Sequence, residues 1–337
     1  MRALERLEQL YAIGGGPGAN RLGYSPEEDE AHALARGWLE EAGLEVEVDD
    51  AGNLFGHVQG TESGSSRIWT GSHLDTVPQG GKFDGALGVV ASIEAVERTG
   101  RGSVVVFREE ERGCAGSRAF VEHGQLPDAF VELHIEQGPR LASMEAPLGI
   151  VTGIVGYARG EVVVEGAAGH AGTTPMELRS DALVTAAREI VRLEEETRRI
   201  PDAVATVGRI VAEPGGINVI PGRVRYSVDV RAPDQARLDR LIDLAGIDDS
   251  QAVPPVEMTP RVTDALRAEV ERRGLPVVEL ASGAGHDAGV LARAGVATGM
   301  LFVRSLNGGV SHSPDELTSA QDVELAIDVL IGALRHL

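Results

Sequence analysis

Residues 67–107 read RIWTGSHLDTVPQGGKFDGALGVVASIEAVERTGRGSVVVF, and this stretch decides the fold class. Its start, residues 67–71, predicts a strand that runs into a polar turn. Residues 85–98 have the small apolar side chains of a buried helix, and residues 103–107 are an apolar run typical of a buried strand. A strand, a helix and a second strand in succession indicate an α/β layer with a largely parallel sheet.

The pattern continues on both sides of this stretch and then changes after about residue 150. An amphipathic helix is predicted over residues 26–42, and a further buried strand over residues 130–133. Beyond residue 150 the order strand, helix, strand, strand predicts a smaller α+β domain, with its elements at residues 160–166, 181–196, 203–211 and 223–230. From about residue 254 the strand–helix style returns, with helices at residues 263–273, 286–294 and 320–336.

Composition excludes several classes of protein. The chain has 337 residues, of which 42% are hydrophobic and 25% charged, and its net charge is −21. Such a charge repels phosphate, which argues against nucleic-acid partners and anionic membranes. The single cysteine, Cys114, allows no internal disulfide. The first ten residues, MRALERLEQL, lack the apolar core of a signal peptide. We therefore expect a cytoplasmic protein.

Polar side chains follow the first strand of the opening stretch. His73 and Asp75 come directly after it, where α/β folds place their ligand sites, and Asp84 lies between glycines at a predicted helix start. Each alone is typical of a turn histidine or a helix cap. Together they favour a metal site, in which Asp75 would orient the ring of His73.

A run of three acids, Glu109, Glu110 and Glu111, follows the strand at residues 103–107. Adjacent acids at a strand end repel one another, so a positive group is expected to compensate them. Arg108 and Arg112 would do so in a solvated acidic turn. A bound cation is the other possible positive group. One glutamate would then ligate the cation and its neighbour would act as a base.

Histidines also follow two further strands. His134 comes after the strand at residues 130–133, and His312 after a strand predicted at residues 300–303. Histidine nitrogens and carboxylate oxygens in this number suit a pair of divalent ions, and such ligands admit Zn, Mn, Co or Ni.

The α+β region carries candidates of a different kind. His170 lies in a glycine-flanked loop, Asn218 lies in a second loop, and Arg231 ends a strand. An arginine there is a natural partner for a carboxylate, although Asp229 or Asp234 could equally pair with it. The turn Ser282-Gly283-Ala284-Gly285 could lend backbone N–H groups to an anion.

These segments resemble, in this order, the metal-dependent amidohydrolases of the M20 family. The branch with the greatest likeness contains the N-carbamoyl-L-amino-acid hydrolases, allantoate amidohydrolases and β-ureidopropionases. The resemblance runs from about Leu7 to the C-terminus, and its motifs are GSHLDTV, GGKFDGALGV, ELHIEQGP, GHAGTTPM, SGAGHDA and GVSHSPDE.

The resemblance implies a fold and a domain organisation. It implies an α/β fold with a mixed, largely parallel sheet flanked by helices, as in di-metal exopeptidases. Residues 1–150 and 252–337 would form the metal-binding catalytic domain. Residues 151–251 would form an inserted α+β lid or dimerisation domain.

The resemblance also implies roles by position. The implied ligands of two divalent ions, with Zn or Mn favoured, are His73, Asp84, Glu111, His134 and His312. Asp84 would bridge the ions, Glu110 would be the base and Asp75 would support His73. The implied substrate contacts are Gln137, His170, Asn218, Arg231 and Gly285. A homodimer is implied, in which His170 reaches the neighbouring subunit's site and polarises the scissile carbonyl.

Three features depart from the family pattern. The link from Glu111 to Gly116 is short, as in carboxypeptidase-like relatives. The three acids leave the register open by one residue, so base and ligand could be Glu109 and Glu110. The chain between Arg231 and Pro260 is also shorter than expected.

The expected reaction is hydrolysis of a ureido C–N bond in a small carboxylate substrate, such as an N-carbamoyl-L-amino acid or allantoate. A di-metal aminoacylase or dipeptidase on the same scaffold is the first alternative. A non-catalytic binding protein on a degenerate hydrolase fold is the second.

Overall fold

The structure is a computed structural model and describes residues 2–58 and 67–337. Its strands are β1 (Glu45–Val48), β2 (Leu54–His57), β3 (Ile68–His73), β4 (Ser103–Phe107), β5 (Ala129–Ile135), β6 (Leu148–Ile154), β7 (Gly156–Glu165), β8 (Gly169–His170), β9 (Val204–Thr206), β10 (Ile210–Glu213), β11 (Val219–Ile220), β12 (Arg223–Ala232), β13 (Val256–Glu257), β14 (Glu279–Ser282) and β15 (Ala297–Val303).

The helices alternate with these strands over much of the chain. They are α1 (Arg2–Tyr11), α2 (Pro26–Glu41), α3 (Ala86–Thr99), α4 (Ala115–His123), α5 (Arg140–Ser143), α6 (Ala182–Thr197), α7 (Gln235–Ala245), α8 (Pro260–Arg272), α9 (Asp287–Arg293) and α10 (Ala320–His336). None of the helices in the described residues has both the length and the apolarity that a membrane crossing requires.

The chain divides into two compact units. The first consists of Met1–Ile154 and Glu257–Leu337, and the second of Val155–Val256. Both division points fall a few residues beyond the expected boundaries at 150 and 251. At the first of them, β6 continues to Ile154 within the first unit.

The first unit is built on one mixed sheet. Its strands run in the order β1-β2-β4-β3-β5-β15-β6, and β14 pairs with β6. The neighbours β4, β3, β5 and β15 are parallel, so their carboxyl ends lie at one edge. The predicted mixed, largely parallel sheet with flanking helices is confirmed.

Small residues allow α3 to pack closely on this sheet. Ten of its residues, from Ala86 to Val96, are buried. At Gly88 an added Cβ would lie 2.3 Å from the carbonyl oxygen of Leu133. The short side chains read from the sequence therefore bring the start of α3, and Asp84 just before it, against the strand ends.

The second unit has an antiparallel sheet in the order β10-β12-β7, with β9 also paired to β12. Apolar side chains of the sheet share a core with those of α6 and α7. The short strands β8 and β11 form a separate pair. The second unit therefore has the expected α+β organisation.

One predicted strand of this unit is wrong. The sequence favours a single strand over residues 203–211, but the structure breaks it into β9 and β10. Thr206 lies opposite Asp229 whereas Ile210 lies opposite Tyr226, so the pairing with β12 slips by one residue between them. Residues 207–209 take up the extra residue as a bulge.

Candidate metal centre

The carboxyl ends of three parallel strands place most of the candidate ligands. His73 is the last residue of β3, and His134 is the last but one of β5. Glu110 and Glu111 follow β4, which ends at Phe107. Because parallel strands present these ends at one edge of the sheet, residues far apart in the chain meet there.

Asp84 lies at the middle of this group. Its Oδ1 is 3.3 Å from His134 Nε2 and 3.9 Å from His73 Nε2. Its other oxygen, Oδ2, is 3.3 Å from His312 Nε2. His312 Nε2 is in turn 3.4 Å from Glu111 Oε2. The five predicted ligands therefore form two groups that share one carboxylate.

The donor atoms of these groups fit divalent cations. Each group, His73-Asp84-His134 and Asp84-Glu111-His312, has ligand atoms within 4.8 Å of one another. Within the described residues, His73 Nε2, His134 Nε2 and Glu111 Oε1 are buried without a hydrogen-bond partner. Buried nitrogen and oxygen atoms that lack partners are costly unless a cation or water satisfies them, and these atom types suit Zn, Mn, Co or Ni.

Both buried histidines are oriented by the ring nitrogen that faces away from the group. His134 Nδ1 donates to the carbonyl oxygen of Ile135 at 2.9 Å. His73 Nδ1 is 3.2 Å from Asp75 Oδ1. In each ring Nε2 is thereby turned towards Asp84, as expected of a histidine that binds a metal.

Asp75 also holds the turn after β4. Its two oxygens accept the backbone N–H groups of Glu110 and Glu111, at 2.9 and 3.0 Å. Burial disfavours the charged carboxylate, but the hydrogen bond from His73 and those two N–H groups outweigh it and lower the pKa of Asp75. Asp75 thus stays ionised and joins the turn after β3 to the turn after β4.

The three adjacent glutamates point in different directions. Glu109 pairs with Arg112, and its backbone N–H donates to Glu28 at 3.0 Å. Glu110 is 9% exposed, and its Oε2 is 3.8 Å from His73 Nε2. Glu111 faces His312. This arrangement favours Glu110 and Glu111, rather than Glu109 and Glu110, as the pair that faces Asp84.

The ionisation of the group reflects its burial. Burial and the charge of Asp84 raise the pKa of Glu111 to about 7. Burial also raises the pKa of Glu110, although His73 opposes this shift. The hydrogen bond to Asp84 raises the pKa of His312 to about 9. The raised pKa values of Glu111 and His312 favour their protonated forms. These protons lie where a bound cation would otherwise supply positive charge.

Two further residues border the group. Gln137 Nε2 donates to Asp84 Oδ2 at 3.0 Å and lies 3.4 Å from His312 Nε2. Gln137 therefore lies at the candidate centre. Gly285 is exposed, in the turn between β14 and α9, and no heavy atom lies within 4 Å of a Cβ built there.

The remaining candidates lie in the second unit. His170 on β8 lies opposite Val219 on β11, and the backbone N–H of Ala171 donates to Asn218 O at 3.0 Å. His170 and Asn218 are thus neighbours, and both are exposed.

Arg231 lies on β12 and is paired within its own strand. Its Nε donates to Asp229 Oδ1 at 2.9 Å, and its guanidinium carbon is 5.9 Å from the ring centroid of Tyr157. Arg159 donates to the other oxygen of Asp229 at 2.7 Å. The sequence left Asp229 and Asp234 open as partners of Arg231, and the structure pairs Arg231 with Asp229.

Comparison with known proteins establishes the family. Residues 69–336 match peptidase family M20/M25/M40. The chain belongs to this family. The M20 likeness inferred from the motifs is therefore confirmed.

Relatives extend the M20 match over nearly the whole chain. The chain is 36% identical over 395 residues to an N-carbamoyl-L-amino acid amidohydrolase of Geobacillus stearothermophilus, covering 98% of this chain and 96% of the relative. It is also 36% identical to an allantoate amidohydrolase of Bacillus subtilis, covering 99% and 96%. The first of these alignments is longer than the 337 residues of this M20 chain, so that relative has segments that the chain lacks.

A solved structure shows the same architecture. An amidase of the hydantoinase/carbamoylase family from Burkholderia multivorans superposes with a TM-score of 0.90 at 30% identity, covering 99% of this chain and 96% of that one. The fold of this M20 chain is thus shared over almost its full length.

His286 and the acids around it have no role that the sequence predicts. The His286 ring centroid is 4.5 Å from that of His134, and its Nε2 is 2.9 Å from Ser282 Oγ. Glu132 and Asp287 are fully buried nearby, and burial raises the pKa of each to about 7. The motif SGAGHDA contained the signal, since a histidine and an aspartate directly follow a glycine turn after a strand.

Proposed function

We propose that this M20 chain hydrolyses a ureido C–N bond in a small carboxylate substrate of the N-carbamoyl-L-amino acid or allantoate type. The observation that carries the proposal is the pair of ligand groups that share Asp84, with the buried Glu110 beside them. The relatives named above, which cover nearly the whole chain, are amidohydrolases of these two substrate types.

Five side chains would hold two divalent ions, with Zn or Mn favoured. His73 and His134 would hold one ion, Glu111 and His312 the other, and Asp84 would bridge them. When bound, the ions would polarise the carbamoyl carbonyl and lower the pKa of a water molecule to about 7.

Glu110 is proposed as the general base. Its backbone N–H is held by Asp75, so its side chain is fixed beside the ligands. Burial raises its pKa, which suits a group that takes a proton in one step and returns it in another. Glu110 would accept the proton of the attacking water and deliver it to the leaving nitrogen.

Substrate contacts are proposed at the positions that the M20 resemblance implies. Gln137 lies beside Asp84 and would donate its amide to the substrate. Gly285 would offer its backbone. Asn218 and Arg231 would bind the substrate carboxylate, for which the planar guanidinium offers two parallel hydrogen bonds. Arg231 would then exchange part of its pairing with Asp229 for the substrate.

A homodimer is proposed because His170 and Asn218 are exposed, together with apolar side chains of the same unit. Ile217, next to Asn218, is 104% exposed, and Met176 and Leu178 are 74% and 73% exposed. Apolar side chains this exposed are candidates for burial against a partner. We propose that a second copy covers them and that His170 of one copy stabilises the developing oxyanion in the other.

The test is product release from a panel of substrates. The panel contains N-carbamoyl-L-amino acids, allantoate, N-carbamoyl-β-alanine and an N-acetyl amino acid, each offered to protein that has been stripped of metal and reloaded with Zn, Mn or Co. Metal-dependent ammonia release from a ureido compound is the expected result. Because acetyl substrates release no ammonia, the amino-acid product is assayed in parallel.

Turnover of the acetyl compound alone would instead assign an aminoacylase. The short link from Glu111 to the start of α4 at Ala115 is the feature that agrees with that alternative. Failure of the stripped protein to bind any of these metals would contradict the proposed centre itself.

A further inference from the structure

A buried carboxylate, Glu316, joins two loops that carry candidate ligands. Its Oε1 accepts the backbone N–H groups of Phe83 and Asp84, at 2.6 and 3.0 Å. Its Oε2 accepts the hydroxyl of Ser311 at 3.1 Å, and the residue is 5% exposed. One side chain thus ties the backbone at Asp84 to the loop that contains His312.

The chain leaves room for this carboxylate at Gly81. A Cβ built at position 81 would lie 2.3 Å from both Cδ and Oε1 of Glu316 and 2.5 Å from Oε2. Real Cβ atoms do not approach other heavy atoms so closely, so any side chain at this position would displace the carboxylate. The second glycine of GGKFDG, Gly81, is therefore required where Glu316 occupies this position.

The backbone at Asp84 is a sensitive place for such a contact. Asp84 directs Oδ1 towards His134 and Oδ2 towards His312, so it contributes to both ligand groups. A small rotation of its peptide moves both oxygens together. Partners that orient metal ligands typically contribute about 10–100-fold in metal affinity.

We propose that Glu316 is a positioning residue of the metal centre, which holds the shared carboxylate of Asp84 and the His312 loop in one arrangement. This inference rests on the proposed metal centre. Glu316 acts through hydrogen-bond acceptance at Oε1, so an amide in its place keeps the arrangement. A glutamine Oε1 accepts the same two N–H groups, and its NH₂ donates to Ser311 Oγ.

The experiment compares Glu316→Ala and Glu316→Gln with the matched control Asp315→Asn. Asp315 is the exposed neighbour, so its substitution removes one charge without touching Asp84. Each stripped protein is titrated separately with Zn²⁺ and Mn²⁺ against a chromophoric chelator, and its Tm without metal is recorded. Glu316→Ala should weaken at least one metal dissociation constant about 10–100-fold. Glu316→Gln and Asp315→Asn should stay within about threefold of wild type.

A second pair of variants tests the same contact without removing the carboxylate. Gly81→Ala should weaken metal binding as Glu316→Ala does, because it pushes the carboxylate away from Asp84. In the Glu316→Ala background the three atoms nearest the added methyl are gone, so Gly81→Ala should then change the dissociation constants less than threefold. Such non-additivity is the signature of residues that act through one contact. If Glu316→Ala does not fold, Gly81→Ala in the otherwise wild-type chain carries the test, because it displaces the carboxylate without removing it.

Three results would overturn the inference. Glu316→Ala with wild-type affinity for both metals and a lowered Tm would leave Glu316 a merely structural residue. A Glu316→Gln protein as impaired as Glu316→Ala would remove hydrogen-bond acceptance as the cause. Wild-type protein that binds neither metal would overturn the proposed centre, and the inference with it, and is distinguished by the wild-type titration alone.

Discussion

The polar regions of the two units differ in how completely a single chain builds them. In the first unit His73, Asp84 and His134 are 1%, 3% and 1% exposed, and each is oriented by partners from its own chain. In the second unit His170 and Asn218 are exposed, beside an apolar side chain that is entirely open to solvent. Metal binding should therefore need only one chain, whereas turnover should need more. The two properties should be separable by mutation.

The largest expected separation comes from Glu110→Gln. The amide cannot accept a proton, so turnover should fall about 10²–10⁴-fold while the metal content is unchanged. Glu109→Gln is the matched control, because it makes the same change one residue away on a side chain that pairs with Arg112. Steady-state ammonia release and metal analysis of both variants check this. Loss of turnover in Glu109→Gln would instead make Glu109 the base and Glu110 the ligand.

His170→Ala should cost the next largest amount, about 10²–10³-fold in kcat, because one stabilising donor for the oxyanion is lost. Metal binding should not change, since His170 lies outside the ligand groups. If His170 serves the neighbouring copy, a mixture of His170→Ala and Glu110→Gln chains should recover activity that neither variant has alone. Mixed dimers that remain inactive would confine His170 to its own chain.

Arg231→Lys should act chiefly on KM. The lysine cannot form two parallel hydrogen bonds with a carboxylate, and the loss of one charged hydrogen bond corresponds to about a tenfold rise in KM. Arg159→Lys is the control, since Arg159 pairs with Asp229 as well and its side chain is 61% exposed. Equal KM values for the two variants would remove Arg231 from substrate binding.

A further expected effect needs no mutation and lies in the pH dependence of metal affinity. Ions bind the neutral imidazole of His312 and the ionised carboxylate of Glu111. Since the pKa of His312 is raised to about 9 and that of Glu111 to about 7, both carry protons at pH 6. Affinity should therefore rise with pH, by up to about tenfold per unit for each proton released, and level off above pH ~9.

A metal titration in weakly buffered solution with a pH indicator would show these protons directly. No proton release at pH 7 would contradict the assignment of His312 and Glu111 as ligands. His336→Ala serves as a control, because His336 lies at the exposed end of α10.

Much of the first unit could be predicted from the sequence because its elements have unambiguous local patterns. The strand at residues 103–107 and the helix at 320–336 lie where they were predicted. The break within residues 203–211 could not be predicted, since it depends on the register of pairing with β12. A bulge of this kind has no signal in the strand's own alternation of side chains.

The site shows the same division between local and distant information. His73 and Glu111 could be proposed as ligands because they lie at or shortly after the ends of buried strands, and parallel strands bring such ends together. Glu316 and His286 lay in motifs that were recognised, yet no role was assigned to them. Their contacts join residues 232 and 152 positions away, at Asp84 and His134, and only the folded chain displays these. A local pattern does not contain them.

The most direct test of the two-ion account is turnover measured as a function of metal added. Stripped wild-type protein is given increasing equivalents of Zn²⁺ or Mn²⁺ at a protein concentration far above the dissociation constants. Ammonia release from the preferred ureido substrate is then recorded at each ratio. Activity should saturate at two equivalents per chain, because both ligand groups that share Asp84 must be filled. Saturation at one equivalent, or activity that needs no added metal, would contradict it.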